Sequence, residues 1–61
     1  MTKELQQAGR RLASARKAVR DALDATQAAA VAALADGMTE SEVARLAGVD
    51  RMTVRKWAGK R

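Results

Sequence analysis

Apolar residues recur along the first third of the chain at alternating steps of four and three: Leu5, Ala8, Leu12, Ala15, Val19 and Ala22. This is a heptad alternation of larger and smaller side chains, and it predicts a narrow seam along one α-helix. Past the seam, Leu23, Ala30, Val31 and Leu34 keep a helical period but drift around the surface. Such drift is expected where a supercoil seam gives way to packing against a globular unit. Asp21, Asp24 and Thr26 have the chemistry of a second helix start, with Asp24 and Gln27 in capping spacing. No glycine or proline separates them from what precedes. The pattern therefore predicts one long helix, roughly Thr2 to Ala35, with Asp21 to Asp24 as the place for a bend.

The rest of the chain, "GMTESEVARLAGVDRMTVRKWAGKR", writes the same local signals twice. Gly37 suits a left-handed cap that stops the long helix, because glycine carries no Cβ penalty there. Thr39 and Glu42 have capping-box spacing, and Met38 and Val43 are spaced as a hydrophobic staple, so a second helix begins at Glu40. Gly48 ends it in the same way. Asp50 caps a third helix, about Arg51 to Ala58, and Val49 and Val54 repeat the staple spacing. Two short helices joined by a turn of a few residues follow from this.

Composition agrees and narrows the choice. Proline is absent and good helix formers dominate, so the chain reads as all-α. At 61 residues with no cysteine and no histidine, neither disulfides nor a thiolate or imidazole metal site can supplement a small core. Trp57 is the one aromatic residue, which argues against a stacked-ring site for single strands. Association of two copies through the long helix is the expected source of further stability.

A net charge of +5 favours a polyanionic partner, nucleic acid before an anionic membrane surface. No run of apolar residues reaches the roughly 20 needed to span a bilayer, and "MTKELQQAGR" does not read as a secretory signal. A cytoplasmic location at the bacterial nucleoid is the expectation. No His, Cys or Tyr is present to serve as base or nucleophile partner, and there is no phosphate-binding glycine pattern, so no enzyme activity, cofactor or small-molecule ligand is expected. The alanine- and arginine-rich, lysine-poor composition suggests a GC-rich bacterial genome or one of its phages or plasmids.

The segment "EVARLAGVDRMTVRKW" resembles the homeodomain-like helix-turn-helix of resolvase and invertase C-terminal domains and of small bacterial and phage regulators. The resemblance covers Thr39 to Trp57. Ala44 stands at the small-residue position where two helices cross, Gly48 at the turn, and Val43, Val49, Val54 and Trp57 at buried positions of that pattern. Asp50 departs from it, since Ser or Thr is usual there; a carboxylate caps the helix but repels phosphate.

The resemblance implies that the third helix lies in the major groove. Arg51, Met52 and Arg55 are then the candidates to read bases, arginine through guanine O6 and N7 and Met52 against a thymine methyl. Arg45, Thr53, Lys56, Lys60 and Arg61 are candidates for phosphate, with the amides at the starts of both short helices adding weak anion affinity. The basic cluster Arg10, Arg11, Arg16, Lys17 and Arg20 lies mostly off the seam, either as a solvated face or as an extension of the footprint along phosphates.

Residues 1–36 are thus read as a long helix for dimerisation that also supplies the first helix of the DNA-binding unit. Residues 37–61 are read as the helix-turn-helix with a basic tail. The expected protein is a dimeric, sequence-specific repressor of transcription on double-stranded DNA. An architectural or partition protein of a plasmid or phage is the alternative within DNA binding, and a helical adaptor docking through Leu5 to Leu34 is the alternative of another class. Ala8, Ala15 and Ala22 permit close approach of two helices, in parallel or antiparallel pairing.

Overall fold

A computed structural model describes residues 1–59, and it is all-helical. The elements are α1 (Thr2–Ala35), α2 (Glu40–Ala47) and α3 (Arg51–Trp57). The long helix runs without interruption through Asp21 to Asp24. The hydroxyl of Thr26 explains why no new helix starts there: it donates back to the Ala22 carbonyl at 2.8 Å and so belongs to the helix interior. At the N-terminus, where no side chain caps the helix, the Met1 ammonium sits 2.6 Å from the Glu4 carboxylate.

The end of α1 is a Schellman motif. Gly37 N–H donates to Leu34 O and Met38 N–H to Ala33 O, both at 3.1 Å, and Gly37 takes φ +104° to make this possible. That turn sends α2 back across the C-terminal part of α1. Val43 and Ala44 of α2, Val54 of α3 and Ala30 of α1 form the buried centre, with Leu34, Met38, Val49 and Trp57 packed at its edge. Both staple residues, Met38 and Val49, therefore lie where their spacing predicts.

All of this packing involves only the last third of α1. Every residue from Met1 to Ala25 is exposed, and Thr26 is the first that is half-buried. The molecule measures 53 × 18 × 17 Å, a small three-helix unit with an arm of single helix projecting from it. Leu5, Leu12 and Val19, the larger seam residues, remain 74, 51 and 59 % exposed on that arm. A solvated single helix of this kind is marginal in water, since most helical stability in proteins comes from burying an apolar face.

Candidate nucleic-acid interface

The geometry of the second turn sets where α3 points. Gly48 adopts φ +72°, ψ +31°, the left-handed region, and both it and Val49 donate their N–H to the Ala44 carbonyl, at 3.0 and 3.1 Å. A side chain at Gly48 would strain this conformation. Two residues later the carboxylate of Asp50 accepts the Thr53 N–H at 2.7 Å and opens α3. At the start of α2, Thr39 and Glu42 form the reciprocal capping box, Glu42 N–H to Thr39 Oγ1 at 3.1 Å and Thr39 N–H to Glu42 Oε1 at 3.2 Å. Three residues, Gly48 to Asp50, thus join two helices that pack on each other.

Within α3, Val54 is fully buried and Trp57 half-buried, which anchors one side of the helix to the core. At 3.6 residues per turn, Met52 and Lys56 stand one turn apart on the opposite, exposed side. Arg51 is exposed in the first turn. Arg55 flanks this face and is half-buried, with Nε 4.0 Å from Oε1 of Glu40 on α2. An ion pair this long and this open to water contributes about 0–1 kcal/mol, so it biases the guanidinium toward α2 without locking it there.

The sequence candidates are thereby sorted. Met52 and Lys56 share the outward side of α3, while Arg51, exposed in the first turn, stands one turn from Val54 at the edge of the core-facing side. The i, i+4 relation of Met52 and Lys56 was the signal for this. Arg45 is exposed in the last turn of α2. Thr53 is half-buried, and its backbone N–H donates to the Asp50 carboxylate. Lys60 and Arg61 lie outside the described residues.

The first turn of each short helix already has an amide taken by its own cap, from Thr39 in α2 and Asp50 in α3, and α2 adds the carboxylates of Glu40 and Glu42. Carboxylate charge at both starts offsets part of the anion affinity expected of the remaining amides.

Both capping carboxylates are more acidic than usual. Hydrogen bonds from the Thr39 amide and hydroxyl hold Glu42 below its ordinary value of 4.5, with a smaller contribution from the Arg45 charge. The amide and hydroxyl of Thr53 hold Asp50 below 3.8. A carboxylate whose pKa is depressed by folding contributes stability above its unfolded pKa and loses it as pH falls through the folded one. Melting temperature is accordingly expected to be flat above about pH 5.5 and to fall as pH is lowered through and below the ordinary carboxylate range. Asp50→Asn keeps a cap acceptor but cannot titrate, so it should melt nearly as wild type at neutral pH and show a shallower acid limb. An acid limb as steep as wild type would contradict the role given to Asp50.

Two packed helices joined by a glycine turn, supported by a third helix that crosses them, define a helix-turn-helix protein. The profile of the homeodomain-like domain matches residues 21–58, more than half of the 61-residue chain, and the chain belongs to that family. The match starts at Asp21, so the C-terminal part of α1 is included as the unit's first helix and most of the arm is not. No curated protein and no solved structure matches the chain. Family membership points to DNA as the partner, and no helix among the described residues is long and apolar enough to cross a membrane.

Proposed function

We propose that the protein is a sequence-specific binder of double-stranded DNA and acts as a small dimeric repressor of transcription in the bacterial cytoplasm, at the nucleoid. The observation that carries this is α3 itself, where Met52 and Lys56 are exposed on the side opposite the fully buried Val54 and Arg51 is exposed in the first turn. A helix so anchored presents a rigid row of side chains to the major groove. Arg51, Met52 and Arg55 contact base edges, and Arg45, Thr53 and Lys56, with Lys60 and Arg61 beyond them, hold phosphates. Residues 1–36 supply the dimer arm and first helix, residues 37–61 the reading unit. Repression follows from occlusion of a promoter by the bound dimer.

An architectural or partition role is supported by the exposed cations Arg10, Arg11, Arg16 and Arg20 on the arm, which extend positive charge beyond the reading unit. Lys17 adds less, because its Nζ is 3.1 Å from Asp21.

Substitution tests the assignment directly. Arg51→Ala and Arg55→Ala are expected to relax base preference, each by about 1–3 kcal/mol of discrimination or roughly 5- to 150-fold. Lys56→Ala should weaken all duplexes alike and reduce the slope of log K against log salt by about one. Equal loss on every sequence for the arginine variants would contradict base reading by α3, and a Lys56→Ala effect confined to one sequence would move that residue to the base-reading set.

A further inference from the structure

The direction of pairing in the dimer is written in the arm. We infer that α1 pairs antiparallel with a second copy of the chain, in the register that sets Leu12 against the partner's Ala15. This rests on the reading of the arm as a dimer interface and adds its geometry.

Side-chain size is the first support. In this register Leu5 meets the partner's Ala22, Ala8 the partner's Val19, Leu12 the partner's Ala15 and Met1 the partner's Thr26. Every layer sets a larger residue against a smaller one, so the two helices keep one spacing along the whole seam and close on each other at the alanines. In a parallel pair, leucine would face leucine and alanine face alanine in alternate layers. The spacing that suits one layer would leave the next either crowded or empty.

The globular unit is the second. Advancing 100° per residue, Thr26, Ala30 and Ala33 come round to the same side of α1 as Leu5 to Ala22. Ala30 is buried there and Ala33 half-buried under α2 and α3. The seam and the core-facing surface are therefore one continuous face. Parallel, in-register helices with that face turned inward would have both globular units standing between them. In the antiparallel register the partner's helix covers the arm, with the partner's Met1 beside Thr26, where the chain's own α2 and α3 take over. Beside that point lies an open apolar groove lined by Thr26, Ala29, Met38 and Leu46, and Leu46 is 66 % exposed in the single chain.

Charge is the third. Arg11 and Arg16 flank the seam. Parallel pairing would bring Arg11 beside the partner's Arg16 on both sides of the dimer, a like-charge contact. Antiparallel pairing sets Arg11 beside the partner's Ala18 and Arg16 beside the partner's Gly9. The two reading units then stand at opposite ends, with the two Ala30 positions roughly 50 Å apart along the rod. Half-sites should accordingly lie farther apart than the roughly 34 Å of one duplex turn.

The chain contains no cysteine, so disulfide trapping of the full chain is clean. Leu5→Cys and Ala22→Cys are prepared separately and oxidised alone and as a mixture. In the antiparallel dimer two copies of either position are roughly 25 Å apart, far beyond the roughly 7 Å Cα limit of a disulfide. Position 5 and the partner's position 22 are adjacent. The mixture is expected to give a mixed covalent dimer as the main crosslinked product, with each variant alone staying uncrosslinked. Efficient crosslinking of Leu5→Cys alone would overturn the antiparallel register while leaving the dimer intact. Sedimentation of the unsubstituted chain separates the other failure: a monomer at every concentration overturns the dimer reading itself, and the register with it.

Discussion

Val54→Ala is expected to lower the melting temperature by roughly 10–20 °C. Val54 is the one fully buried side chain among the described residues, and it ties α3 to a centre made otherwise of Ala30, Val43 and Ala44. Removing its two methyl groups forfeits roughly 1.5 kcal/mol of transfer free energy. The cavity left in a centre with few other large residues to fill it raises the loss to about 2–3 kcal/mol. For 61 residues, total stability is on the order of 3–9 kcal/mol, so this is a large share of the whole. Thermal melts followed by far-ultraviolet circular dichroism, at matched protein concentration because dimerisation raises apparent stability, read the effect. DNA binding should fall with it, since α3 is held in place through this residue. A shift below about 4 °C would mean that the packing of α3 does not depend on Val54 as described.

Leu12→Lys is expected to convert the dimer to a monomer and to weaken binding to an inverted repeat by roughly 10²- to 10⁴-fold. Leu12 lies near the middle of the seam and is 51 % exposed in the single chain, so the substitution does not disturb the three-helix core. Lysine is a good helix former, which keeps the helix itself. It places an ammonium in the seam of both copies, next to Arg11 and Arg16, where no carboxylate stands near enough in sequence to offset it. The added positive charge strengthens nonspecific phosphate attraction, so a fall in affinity runs against the simple charge effect and isolates the loss of the second half-site. Sedimentation gives the mass and titration of an inverted repeat gives the affinity. A Leu12→Lys protein that remains a dimer would remove the seam from the account, and a monomer that binds the repeat as tightly as wild type would remove the need for two copies.

The local architecture was legible because its signals are local. Thr39 with Glu42, Gly48, and Asp50 each act within four residues, and each makes the hydrogen bonds or the backbone turn its spacing predicts. The buried set Val43, Ala44 and Val54 followed from the same spacing, since a staple and a helical period place those residues on one side. The three-helix unit and its family could therefore be read from about twenty residues.

The parts of the site that depend on tertiary contact were not legible in the same way. Arg55 and Glu40 are fifteen positions apart, and nothing in their spacing says that α2 and α3 pack so as to bring the guanidinium toward that carboxylate. Leu46 belongs to a helix whose apolar side would be expected to be covered, yet α2 is only eight residues long and the groove beside α1 leaves it open. The face shared by the arm and the core appears only once α2 and α3 are seen to cover Ala30. The alternation of large and small residues was visible from the start, but it selects a direction only when combined with that cover.

Selection from a random duplex library at about 150 mM salt, where nonspecific phosphate binding is already weakened, tests sequence-specific DNA binding most directly. Recovery of an inverted repeat, with half-sites more than one turn apart, is the predicted result. Recovery of duplexes with no consensus, or of none at all, would contradict it, the first by making the protein an architectural binder and the second by turning attention to a protein partner for the long helix.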